Sequence, residues 1–208
     1  MTVTISRLYN SYPDAQAAIS RLEAAGVKHG DISVLASNSD GWYKDGARGK
    51  DSTFPDRDLD GKDDRAEGAR TGAGVGAVTG GALGALTGLG LMAIPGVGPI
   101  VAAGWLVATL TGAAAGAATG GVVGALTQMG VSSEEADVYA EGLRRGGAVV
   151  SARVADADAS RLQAVLDSSA VRIADRASLY RKSGWTKFDP SAQSYTSEQI
   201  VKERSLYR

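Results

Sequence analysis

The chain has 208 residues, with 22 Lys and Arg against 23 Asp and Glu, a net charge of −1, and no cysteine. That charge balance argues against a protein whose partner is the phosphate backbone of a nucleic acid. The missing cysteines exclude disulfides, thiol nucleophiles and thiolate metal sites. The first residues, "MTVTISRLYN", lack the apolar core and small-residue cleavage site of a secretory signal, so the polar parts of the chain are expected in the cytoplasm.

Residues 1–37 read as strand, helix, strand. Val3, Ile5 and the pair Leu8/Tyr9 fit a half-buried strand. Ser11 is placed to cap a helix whose first turn holds Pro13 and Asp14. Ala18, Ile19, Leu22 and Ala25 form its apolar stripe, Gly26 ends it, and "DISVLAS" is the second strand. His29, the one histidine, sits in a turn where a solvated role is expected.

A polar linker follows, 38–70. Within it "DRDLDGKDDRAE" (56–67) has the oxygen-ligand spacing of a calcium loop. Asp56, Asp58, Asp60, the Lys62 carbonyl, Asp64 and bidentate Glu67 would be ligands, and Gly61 would make the turn. Asp63 stands where an aliphatic residue is usual, and no entering helix precedes the loop, so a solvated acidic linker is the competing reading.

Residues 71–133 carry no charge at all. Gly72, Gly76, Gly80, Gly84 and Gly88 recur every fourth position, as do Gly112, Gly116, Gly120 and Gly124. Both sets predict small-faced helices that approach closely, a glycine zipper. Pro95, Gly96, Gly98 and Pro99 break the run and predict a hairpin turn between helical arms at about 71–94 and 99–129. The first arm would extend about 36 Å, enough for a hydrocarbon layer of roughly 30 Å. In water its interior glycines would cost on the order of 7 kcal/mol of helix propensity. Such rods need shelter, from membrane lipid or from self-association in a homo-oligomer. "GAGVGA" (72–77) mimics a dinucleotide fingerprint but lacks the strand that must precede it.

Ser132 or Ser133 predicts the cap of a helix over 132–147, with Glu134 and Glu135 in its first turn and Arg144 and Arg145 in its last. A second βαβ unit then reads as strand 148–154, helix 156–170 with Leu162, Val165 and Leu166 inward, and strand 171–177. Two such units, 1–37 and 131–177, predict an α/β (α+β) ferredoxin-like split βαβ domain: a four-stranded sheet with helices on one face, interrupted by the glycine-zipper hairpin of 71–130. The polar tail, 178–208, carries "TSEQ" (196–199), a capping-box signature, and scattered aromatics expected to pack on the domain or a neighbour.

"GLMAIPGVGPIVAAGW" (90–105), "GVSSEEADVYAEGLRRGGAVVSARV" (130–154) and the tail at 184–204 resemble the bacterial general stress protein 17M-like family, the heat-induced stress protein YflT group. The resemblance implies a stress-associated role and carries over no catalytic residue. The expected function is therefore non-enzymatic. Its form is insertion or docking of the hairpin at the cytoplasmic membrane, with the ferredoxin-like domain facing the cytoplasm as an interaction surface, or assembly of a soluble homo-oligomer in the cytoplasm through the hairpins.

Overall fold

Alternating apolar residues in "TVTISRLY" form the first strand of an antiparallel sheet. A computed structural model describes residues 1–43, 90–106, 121–128 and 131–207. The strands are β1 (Thr2–Tyr9), β2 (Ile32–Ser37), β3 (Gly90–Ile94), β4 (Gly98–Ala103) and β5 (Ala148–Ala155), in the sheet order β1-β5-β2-β4-β3. The helices are α1 (Tyr12–Ala24), α2 (Gly121–Gln128), α3 (Ser133–Arg144), α4 (Ala159–Asp167), α5 (Ile173–Lys182) and α6 (Ser197–Ser205).

β5 lies between β1 and β2 and is antiparallel to both, with Leu8 opposite Val149 and Val149 opposite Leu35. These three side chains share one face and enter a core with Tyr139, Ala140 and Leu143 of α3. Because side chains alternate along a strand, the neighbouring positions point the other way, toward α1 and α4. There the Tyr9 hydroxyl donates to the Leu166 carbonyl at 3.1 Å. The sheet is thus covered by helices on both faces, not on one as expected. A buried serine row crosses the α3 face. Ser6 and Ser151 hydroxyls meet at 2.8 Å, and Ser33 accepts from the Leu106 amide at 3.1 Å.

The first predicted unit forms as read. Ser11 caps α1 by accepting from the Asp14 amide at 3.4 Å, and Gly26 stops it with φ of +95°. Ser132 caps α3 by accepting from the Glu135 amide at 3.3 Å.

The second unit departs from expectation. Residues 171–177 are not a strand, because Ile173–Lys182 is helix α5. Ile173, Ala177 and Tyr180 are four and three residues apart, a helical stripe that packs on Val138 of α3. One remnant of strand pairing survives, the Val171 amide donating to the Leu8 carbonyl at 2.8 Å.

The helical arms expected around Pro95 and Pro99 are corrected over residues 90–103, while Gly121–Gln128 in the second arm is helical as expected. Pro95, Gly96, Gly98 and Pro99 do form a turn, but it joins the strands β3 and β4. The Val97 amide donates to the Ile94 carbonyl at 3.0 Å, and Gly96 has φ of +75°. Proline second and a positive-φ glycine third are the signature of a type II turn. β4 pairs with β2, and Ile100, Val101 and Ala102 are fully buried. Neither glycine series reaches into these strands, whose Leu91–Ile94 and Ile100–Ala103 are apolar runs too short for periodicity to tell helix from strand. Pairing with β2 decides for strand.

Gly104 follows β4 directly. Its φ is +84°, and a Cβ there would lie 2.4 Å from the Ile32 carbonyl oxygen and the Ser33 hydroxyl oxygen. Gly124 does lie on a helix, α2, yet among the described residues nothing stands within 4 Å of where its Cβ would be. The zipper positions Gly72, Gly76, Gly80, Gly84, Gly88, Gly112, Gly116 and Gly120 lie outside the described residues, as do the calcium-loop residues 56–67.

Two glycine substitutions separate these environments. Gly124→Ala is expected to stabilise the protein by up to about 1 kcal/mol, as removal of an interior helix glycine does. Gly96→Ala is expected to destabilise it by about 2 kcal/mol or more, since it adds a Cβ at positive φ against backbone. Urea denaturation of both variants checks this; a loss at Gly124 would restore the zipper reading there.

Candidate functional site

Glycines in two separate motifs face one segment, the C-terminal tail. A Cβ on Gly96 would lie 2.6 Å from the Pro190 Cα, and one on Gly98 would lie 2.5 Å from the Ser194 Cβ. In "GLRRGG", a Cβ on Gly146 would lie 2.4 Å from the Ile200 side chain. The tail therefore crosses the β3–β4 turn and the end of α3 at distances that only glycine admits.

α6 starts with the expected capping box. Thr196 accepts from the Gln199 amide at 3.3 Å, and Gln199 accepts from the Thr196 amide at 2.9 Å. The register this sets turns Ile200 onto Gly146 and brings Glu203 and Arg204 to the body. The Ser197 hydroxyl donates to the Ser39 carbonyl at 3.0 Å. Arg204 donates to the Asp40 carboxylate and to the Gly146 carbonyl, each at 2.8 Å.

At the centre is Glu141, a fully buried carboxylate. It accepts from Arg144 at 3.0 and 2.6 Å and from Arg145 at 2.6 Å. Arg145 also donates to Glu203 at 2.6 Å, and the Tyr207 hydroxyl donates to Glu203 in turn. The Arg145 guanidinium stacks over the Tyr180 ring at 4.2 Å, and Arg176 lies over the Tyr207 ring at 3.4 Å. Arg144 and Arg145 are thus balanced by Glu141 and Glu203, while Arg176 donates to the Asn10 side chain. Burial on its own lowers the Arg145 pKa, but the bonds to Glu203 and Glu141 outweigh it and hold the guanidinium above its ordinary value. The arrangement fixes one segment against another; its groups are engaged with one another and not aimed at a substrate.

Arg144 and Arg145 occupy the helix end as expected, but their carboxylate partners were not read from the sequence. The spacing of Glu141 to Arg144 and Arg145, i+3 and i+4, was the available signal for one of them. Nothing local marks Glu203, which reaches Arg145 from 58 positions away. His29 pairs with Glu23 at 2.8 Å at the surface. Trp42 stacks on Tyr12 with ring centroids 4.2 Å apart and donates to the Ser37 carbonyl at 2.7 Å.

At the opposite end of the sheet a cleft of about 210 Å³ lies between Val27, Lys28, Arg153, Asp158 and Arg161. Its arginines already pair with carboxylates, Arg153 with Asp31 at 3.3 Å and Arg161 with Asp158 at 3.0 Å. Among the described residues no group of His, Asp and Glu side chains is arranged to hold a metal ion, and no helix is long and apolar enough to cross a membrane. Comparison with protein-family models, with curated proteins and with solved structures gives no match.

Glu141→Gln should destabilise the protein by about 3–5 kcal/mol, the cost of leaving buried cationic partners uncompensated, measured by urea denaturation at neutral pH. At alkaline pH the buried tyrosines dominate. Burial pushes the Tyr139 hydroxyl up to about 12, and that hydroxyl donates to the Ser6 carbonyl at 2.9 Å. A raised folded pKa means the stability it contributes is present below the unfolded value of 10.0 and is lost as pH rises through about 12. Tyr139→Phe is therefore expected to cost about 1 kcal/mol at pH 7 from the lost hydrogen bond and to flatten the decline of stability above pH 10. Equal alkaline slopes for the two proteins would count against this assignment.

Proposed function

We propose that this is a non-enzymatic, stress-associated protein that works by self-association in the cytoplasm. Its α+β domain would act as a scaffold for the glycine-rich stretches on either side of the β3–β4 hairpin. In this reading the domain is a ferredoxin-like variant. β1-α1-β2 with β5 inserted is its split βαβ half, and α5 replaces the final strand of the second half. The observation that carries the proposal is the place of the hairpin. The one break in the uncharged run is an edge of the sheet, with Ile100 and Val101 fully buried and the tail laid over its turn. A turn held in that way supports assembly over a bilayer-crossing hairpin whose two arms would have to include residues 90–103. Balanced charge supports a protein partner over a nucleic acid. The stress association rests on the family resemblance of the hairpin, the "YAEGLRRGG" helix end and the tail.

Light scattering coupled to gel filtration, without detergent, tests the proposal. The expected result is a soluble homo-oligomer that Gly80→Leu combined with Gly120→Leu converts to smaller species by blocking close helix approach. A wild-type monomer at all concentrations overturns it. Flotation with liposomes, resistant to carbonate washing, would instead support docking of the hairpin at the membrane.

A further inference from the structure

We infer that the C-terminal segment Trp185–Tyr207 is a strap that undocks as a unit while the sheet and α3 stay folded. Three observations lead there, and none depends on self-association.

The first is how little apolar surface anchors it. From Trp185 to Tyr207 only Phe188 and Ile200 are buried, while Val201 and Leu206 are each 65% exposed. Segments held by few apolar contacts are those that open locally at low cost.

The second is what holds it in place of apolar contact. The Arg145–Glu203 and Arg204–Asp40 ion pairs, the Arg204 bond to the Gly146 carbonyl and the Ser197 bond to the Ser39 carbonyl are all polar. Water can replace each of these when the strap leaves. The body keeps its own compensation, since Glu141 retains both Arg144 and Arg145.

The third is where polar satisfaction fails. Among the described residues, buried side-chain atoms without a hydrogen-bond partner gather along this interface: Asp40 Oδ1, Arg204 Nε, Asp137 Oδ1 and Trp185 Nε1. Asp137 faces Lys187 and the Phe188 amide of the tail, and Trp185 meets Tyr180 edge-on at 5.7 Å. Under the sheet, by contrast, the Tyr9 and Tyr139 hydroxyls and the Ser6–Ser151 pair are all engaged. Native interiors leave few such atoms unpaired. Their concentration along one seam marks the seam as the place where water enters first.

Undocking has a defined consequence. It releases the Ser39–Asp40 carbonyl and carboxylate contacts where the chain leaves β2, and it uncovers the Gly96–Gly98 turn in the same movement. Its docked state closes over Ser39 and Asp40, just past the end of β2, and over the β3–β4 turn.

Hydrogen exchange of the full-length protein, read by mass spectrometry, tests this. Amides in 197–207 are expected to exchange at least about tenfold faster than those of α3 and β5, as a sub-global opening requires. Glu203→Gln and Arg204→Gln should each speed exchange of the tail by a further factor of roughly ten, the effect of weakening one charge-assisted bond, with α3 and β5 unchanged. Ile200→Val, a milder change at the apolar anchor, should give the same selective pattern. Tail protection equal to that of β5 in the wild type overturns the inference. So does acceleration of the tail, α3 and β5 together in the variants.

Discussion

Three absent side chains, at Gly96, Gly98 and Gly146, let the C-terminal segment reach the body of this protein. A methyl group at any of them would occupy space already filled by Pro190, Ser194 or Ile200. Each glycine also has a positive φ, so the same residue type serves a turn or a helix end and a close contact at once. The two sequence motifs that stand out, "IPGVGP" and "GLRRGG", thereby acquire one structural meaning. Both form the bed on which the tail lies.

The charged cluster follows from that close approach. Only when the Ile200 side chain of α6 lies against Gly146 does Glu203 come within bonding distance of Arg145 and Arg204 within reach of Asp40. Glu141 holds the arginines ready whether or not the tail is present. A buried pair of this kind adds little net stability, because desolvation offsets attraction; removing one member is what costs heavily. Its contribution is geometric. It admits one register of the tail and penalises others, whose charges would be buried without partners. Stacking of Arg145 on Tyr180 and of Arg176 on Tyr207 extends the same constraint to α5.

The sheet explains why the tail has a bed at all. β4 joins β2 and carries β3 with it, so the proline–glycine turn is held at the sheet end where β2 finishes. Had residues 90–103 been helical, Gly96 and Gly98 would not be presented beside Ser39. The replacement of the predicted final strand by α5 matters equally. Val171 keeps a single bond to β1, and the chain then turns away to pack on α3, delivering Trp185 and Phe188 to the same seam.

The sequence by itself determined the local elements whose signals lie within a few residues. These are β1, α1 with its Ser11 cap and Gly26 stop, β2, α3 with its Ser132 cap, β5, α4, and the capping box of α6. It also determined that a turn falls at 95–98, because proline and positive-φ glycine act on their own backbone. It misjudged the immediate flanks of that turn, since short apolar runs such as 91–94 and 100–103 fit a buried helix or a buried strand and only pairing with β2 discriminates. It misjudged 171–177 as well, where Val171 and Ile173 suggested a strand and packing on Val138 selected a helix. The tertiary structure alone decided the seam. Glu203 with Arg145, Arg204 with Asp40, and Ile200 with Gly146 are far apart along the chain, and a contact between distant residues leaves no periodicity for a sequence to display.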